Sequence, residues 1–226
     1  MTNVGAGPWS AYEDFFRTRL QSALQKADHN QFIQGWHANG VRNRLDNFIV
    51  HGLHTQFESL ISKNEKVIAH NDFTPDNLLF DPDSGRITAL LDYDFSCISH
   101  ASYEYFCSFL GAGEPFLGWS EDGEDTKLQQ AKLHGFPSPL PPTNEDGIKW
   151  DVAKAWEEEL TKVRAKRPRT IIGIEKIADV DMVLRAISPF RLTNSDVLKL
   201  QSEEVIMSYR EKSEEKIVKL LEHLGY

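Results

Sequence analysis

The chain has 226 residues, 40% of them hydrophobic and 26% charged, and carries a formal net charge of -9. At roughly 100–200 residues per domain there is room for one domain or two small ones, and the supply of Trp, Phe and Tyr excludes a disordered chain. The acidic balance disfavours nucleic acid and anionic membrane surfaces, and no apolar run approaches the ~18 residues of a membrane span.

Ser10 and Glu13 have the spacing of a capping box, and Trp9, Tyr12, Phe16, Leu20 and Leu24 then recur at helical spacing, which predicts a first helix from Ser10. A second is predicted from Val41 to Ile61, with Val41, Leu45, Phe48, Leu53, Phe57 and Leu60 on one stripe. The pattern then changes. Lys66 to His70 reads as a strand, Asn77 to Phe80 as another and Arg86 to Leu91 as a third. Between the last two lies Asp81-Pro82-Asp83-Ser84-Gly85, a turn in which Pro fixes φ and Gly permits positive φ. A hairpin is therefore expected directly after the polar loop from His70 to Asp76.

Past Asp94 the chain is expected to be helical, first over Ala101 to Leu110. The stretch from Gly111 to Pro142, rich in Gly, Pro and acid, reads as a loop or loose insertion. Helices are predicted over about Asn144–Ala165, Glu175–Ile187 and Ser195–Leu224, with Gly225 at the C-cap position. Arg164, Lys166, Arg167 and Arg169 read as a solvated helix end beside Pro168. Cys97 and Cys107 share no metal-pair spacing and read as buried free thiols. Met1 to Gly5 show no basic segment followed by an apolar one, and a cytoplasmic protein is expected. The fold class expected is α+β, mostly helical, as one domain over residues 1–226.

The chemistry is concentrated in His70-Asn71-Asp72-Phe73-Thr74-Pro75-Asp76-Asn77 and in Leu91-Asp92-Tyr93-Asp94. The first is H-x-D-x-x-x-x-N, and Asp92 follows Asn77 by fifteen positions. This is the order and spacing of a kinase catalytic loop, its hairpin and its magnesium carboxylate. Phosphoryl transfer needs a positioned hydroxyl, a base for its proton, and cations that hold the phosphates in line. Asp72 is the candidate base. Asn77 offers a neutral oxygen and Asp92 a charged one, a pair suited to a hard cation such as Mg²⁺. His70 is better placed to pin the loop than to transfer a proton. Separately, H-x-D and D-x-D are common on solvated loops; together, in this order and around a hairpin, they are poorly explained by coincidence.

Val67 to Asp81, with Ala89 to Asp94, resembles the aminoglycoside phosphotransferase and choline kinase group, whose pattern is H-G-D-x-x-x-x-N followed by D-x-[DE]. Asn71 replaces the glycine, Tyr93 stands where Trp is frequent, and Asp94 fits the last acidic position. The resemblance covers about residues 9–110. It implies the C-terminal lobe of a protein-kinase-like fold, with Asp72 as catalytic base, Asn77 and Asp92 as ligands of Mg²⁺ that hold the cofactor ATP, and His70 and Asp94 in support. The expected partner is a small molecule bearing a hydroxyl, with or without an amine.

In that fold a preceding lobe supplies a phosphate-pairing lysine and a glycine-rich loop. Only 69 residues precede His70, and they read as helices. Gly5-Ala6-Gly7 and Gly111-Ala112-Gly113 are the only candidates, and neither stands between a strand and a lysine-bearing strand. A chain that starts near the interlobe hinge is expected: a fragment, a one-lobe relative, or a protein whose missing lobe comes from a partner. The competing readings are a non-catalytic ligand-binding module on the same lobe and, from Leu90-Leu91-Asp92-Tyr93-Asp94-Phe95-Ser96, a haloacid-dehalogenase-type phosphatase, which would need several strand–helix units afterwards. A metallophosphoesterase fits worse, since His70 precedes Asn71. Glu104, Glu114, Glu121 and Asp122 could hold an amine or could equally be a solvated acidic face.

Overall fold

In the computed structural model the described residues are 7–121, 123–142 and 147–226. They form two compact units, one built on Leu60–Ile174, the other on Trp9–Ser59 with Glu175–Tyr226.

The second unit is all helix. Its first helix, α1 (Tyr12–Asp28), buries Tyr12, Phe15, Phe16, Leu20, Ala23, Leu24 and Ala27, the stripe its spacing predicts. The predicted capping box does not form. The helix starts after Ala11 with no side-chain cap, and Glu13 is drawn instead to Arg17 and to His54 Nδ1 at 2.9 Å. Charged partners outcompete one backbone N–H.

The predicted long helix is three sections in one run: α2 (Val41–Asn47), a π-helical turn (Phe48–Gly52) and α3 (Leu53–Glu58). At the π turn the ring of Tyr226 packs edge-on against Phe48, with centroids 5.5 Å apart. A Cβ on Gly52 would lie 2.5 Å from that ring. Arg44 Nε donates to the Tyr226 carbonyl at 3.1 Å. The buried α7 (Ile174–Ile187) leads to α8 (Phe190–Thr193). The predicted last helix is broken in two, α9 (Ser195–Lys199) and α10 (Glu203–His223). Each piece has its own cap, the Asn194 side chain for the first and Ser202 for the second. Gly225 follows α10 with φ +84°.

The first unit carries the strands. β1 (Val67–Ala69) pairs antiparallel with β4 (Cys97–Ser99), and β2 (Leu78–Asp81) with β3 (Arg86–Leu90). β2 and β3 are the predicted hairpin. Asp81 closes its turn by accepting from Asp83 N at 3.0 Å and from Ser84, and Gly85 takes φ +67°. β4 was not expected, because a helix was read directly after Asp94. Helix α4 (Ala101–Cys107) follows; His100 caps it by accepting from Ser102 N at 3.1 Å. The architecture is α+β and mostly helical, as the sequence predicts.

The stretch read as a loop contains α5 (Gly123–His134), and α6 (Trp150–Lys162) follows. The expected start of α6 at Asn144 lies outside the described residues, as do Gly5, Ala6 and Asp122. Leu128, Ala131, Trp150 and Ala153 form a small core between these two helices. The basic cluster is not simply solvated. Arg167 Nε lies 2.8 Å from Glu157 Oε1 with both side chains largely buried, and Lys166 pairs with Glu65. Neither cysteine is in a disulfide; Cys97 is buried and Cys107 partly so. No helix among the described residues is long and apolar enough to cross a membrane.

Candidate active site

The loop between β1 and β2 brings the sequence-predicted residues together. His70 is 6% exposed. Its Nε2 donates to the Leu91 carbonyl at 2.9 Å, which ties the start of the loop to the residue before Asp92. This bond assigns the proton to Nε2 in the neutral ring. The ring also packs edge-on against Tyr93, centroids 5.0 Å apart.

Asn71 sits at φ +64°. That region favours glycine and, after it, Asn and Asp. Asn71 holds itself there by donating Nδ2 to the Phe95 carbonyl at 3.0 Å and to Cys97 Sγ at 3.1 Å. The short strand β4 therefore supports the loop as well as pairing with β1.

Asp72 and Asn77 meet directly. Asn77 Nδ2 donates to Asp72 Oδ2 at 3.0 Å and to the Asp72 carbonyl at 2.8 Å. A single 3₁₀ turn, Pro75–Asn77, makes the reversal. Committing its N–H to Asp72 leaves Asn77 Oδ1 as the atom able to meet a cation. Leu91 N donates to the Asn77 carbonyl at 2.8 Å, extending the β2–β3 ladder by one step. Asp92 thus emerges at the end of the hairpin where Asn77 lies. It is exposed and sits at φ +58°. Asp94 reaches this turn through its backbone, whose N–H lies 3.4 Å from Asp92 Oδ1. Among the described residues no three His, Cys, Asp or Glu side chains gather as a metal cage. Mg²⁺ needs only one or two protein oxygens beside phosphate and water, so the pair Asn77 and Asp92 fits it as a donor set.

One supporting residue had no assigned role in the sequence. Glu104, on α4, accepts from His70 N at 2.5 Å and from Asn71 N at 3.1 Å. It also accepts from Ser108 Oγ, which itself accepts from Phe73 N at 2.9 Å. Three backbone N–H groups of the loop, those of His70, Asn71 and Phe73, thus hang from one carboxylate and its hydroxyl neighbour. These bonds occupy Glu104 with the loop and not with an amine. The available signal was a lone acid in the apolar run from Ala101 to Leu110. Glu114 is turned to the Gly111 N–H, at 3.2 Å. Beside the loop, Phe73, Phe109 and Trp156 pack with centroids 5.4–5.8 Å apart.

A comparison with protein families matches residues 5–136 to the Phosphotransferase enzyme family. The chain belongs to that family. The match spans the whole catalytic-loop and hairpin segment on which the resemblance to aminoglycoside phosphotransferases and choline kinases rests. No curated protein and no solved structure matches the chain. Both sheets of this phosphotransferase-family chain are two-stranded and antiparallel among the described residues, unlike the repeated strand–helix units a dehalogenase-type phosphatase needs.

Proposed function

We propose that the chain, built over residues 1–226 as the C-terminal lobe of a protein-kinase-like fold, transfers the γ-phosphoryl group of ATP to a hydroxyl of a small molecule. Asp72 is the base that takes the hydroxyl proton. Asn77 Oδ1 and the Asp92 carboxylate are the protein ligands for Mg²⁺, whose charge would hold the ATP phosphates in line when bound. The observation that carries this reading is the Asp72–Asn77 contact of 3.0 Å at the end of the hairpin from which Asp92 emerges.

Each residue has a distinct task. Asn77 fixes the Asp72 carboxylate in one rotamer, so the base does not spend binding energy on finding its orientation. His70 couples the loop to Leu91 and so keeps base and metal ligand in a constant relation. Asp72 is only partly buried, which leaves it open to an incoming hydroxyl. Among the described residues no strand precedes β1; we assign the cover over the nucleotide to protein outside them, in a partner or in further chain.

The test is calorimetric titration of Mg-ATP into the chain beside Asp92→Asn, followed by an acceptor screen. Weak binding that the variant loses is the expected result. A folded wild-type chain that binds no Mg-ATP would overturn the assignment and leave a non-catalytic module.

A further inference from the structure

Helix α5 has a small apolar face, yet its side chains at every third position reach back to the segment before it. Thr126 Oγ1 donates to the Ser120 carbonyl at 3.1 Å, and Gln129 Nε2 to the Leu117 carbonyl at 3.1 Å. Lys132 Nζ donates to the Glu114 carbonyl and, at 3.3 Å, to that of Pro115. As the helix advances by three residues the segment recedes by about three, so helix and segment run antiparallel and are laced together.

Lys132 ends this series and is 6% exposed. Burial holds its pKa down to about 7, against the opposing pull of the Glu114 and Glu157 carboxylates. A desolvated ammonium is costly unless it is hydrogen-bonded, and here its partners are backbone carbonyls of one turn.

That turn leads to the catalytic loop. The Phe109 carbonyl accepts from Ala112, Gly113 and Glu114 N–H groups at 3.0, 2.9 and 2.8 Å. Phe109 N donates to the Phe73 carbonyl at 2.7 Å, and Phe73 follows Asp72. Phe109 and Glu114 have φ of +74° and +62°. Two non-glycine residues in the left-handed region cost on the order of 1 kcal/mol or more each and need outside support. Lys132 supplies it from the carbonyl side.

We propose that Lys132 is a positioning residue for the Asp72 loop, acting through the turn from Phe109 to Glu114. Its bearing on catalysis rests on the assignment of Asp72 as the base; its bearing on the loop does not. The hydrogen bonds of its Nζ go to the Glu114 and Pro115 carbonyls and not to Asp72, Asn77 or Asp92. It fixes the turn to which the backbone of Phe73 is bonded.

Hydrogen exchange measured by mass spectrometry on the full chain tests this without substrate, so its outcome is independent of whether ATP binds. Lys132→Met is expected to speed exchange about tenfold over residues 70–77 and 108–116, as loss of a charge-assisted hydrogen bond implies. Lys132→Arg, which keeps donors for both carbonyls, should stay within threefold of the wild type. Leu128→Ala, on the same helix but packed toward Trp150, should loosen residues 123–162 and leave 70–77 unchanged. The proposal is overturned if Lys132→Met leaves 70–77 as in the wild type, if Leu128→Ala loosens 70–77 equally, or if Arg behaves as Met does. Should Lys132→Met not fold, Lys132→Gln is read by the same criteria.

Discussion

The carboxylate of Glu104 receives the backbone N–H of Asn71 at 3.1 Å across 33 residues of chain. With the His70 N–H on its other oxygen, it anchors both residues that precede Asp72. Removing an acceptor from buried donors costs more than the bond itself contributes, because the donors are left desolvated. Glu104→Ala is therefore expected to destabilise the first unit by about 2–4 kcal/mol in urea denaturation and to weaken Mg-ATP binding. Glu104→Gln, which keeps one accepting oxygen, should lose about half as much. Equal loss by both would show that the charge, not the geometry, is what counts.

At position 71 two effects oppose each other. Glycine would relieve the φ of +64° but would lose the bonds to Phe95 and Cys97. Asn71→Gly should lie within about 1 kcal/mol of the wild type by thermal unfolding. Asn71→Ala combines a left-handed backbone with the lost bonds and should cost about 2 kcal/mol. A result in which alanine is tolerated better than glycine would rule out backbone strain as the reason for the residue found there.

His100 gives a pH dependence. Burial lowers its pKa from 6.5 to about 4. Its Nδ1 accepts from Ser102 N and its Nε2 meets Ser62 Oγ at 2.9 Å, so the neutral ring is the one that fits. The unfolded chain takes up the proton first. The stabilisation is thus complete above pH 6.5 and is lost as pH falls toward 4, by ~3 kcal/mol in all. His100→Asn keeps a capping side chain and should flatten this slope in denaturation curves between pH 4 and 7. An unchanged slope would place its origin elsewhere.

Gly52 is helical, so its requirement is space and not φ. Gly52→Ala drives a methyl group into the Tyr226 ring and is expected to cost about 1–3 kcal/mol. In a Tyr226→Ala background the same change should cost less than 1 kcal/mol. A double-mutant cycle by chemical denaturation reads the difference as coupling; additivity would mean that the methyl group is resisted by Phe48 instead.

The catalytic loop is legible in the sequence because its parts are local. His70, Asp72 and Asn77 lie within eight positions, and the Asp81–Gly85 turn brings Asp92 back to them. Glu104 and β4 are harder to read. Each acts on a partner about 30 positions away, and a three-residue strand such as Cys97–Ser99 has no periodicity to detect. Helix α5 was hidden for a different reason. The Gly, Pro and acidic residues around it give the stretch the composition of a loop, while Thr126, Gln129 and Lys132 make the long-range bonds that hold it. The π turn at Phe48–Gly52 leaves the apolar stripe intact, and the close approach of the Tyr226 and Phe48 rings explains why glycine stands at 52. The Ser10–Glu13 spacing suggested a cap, but Arg17 and His54 compete for the same carboxylate.

The helical unit is assembled from both ends of the chain, Trp9–Ser59 and Glu175–Tyr226, joined by contacts such as Trp36 Nε1 to the Ile187 carbonyl, 151 residues apart. The unit with the catalytic loop is drawn mainly from the uninterrupted stretch between them. During synthesis the loop-bearing unit is therefore fully available to fold while the first helices still lack α7 and α10. Until those emerge from the ribosome, the early helices have only one another for cover, as in the Phe16–Phe57 ring contact at 5.7 Å between α1 and α3. The helical unit is therefore the later of the two to complete its core.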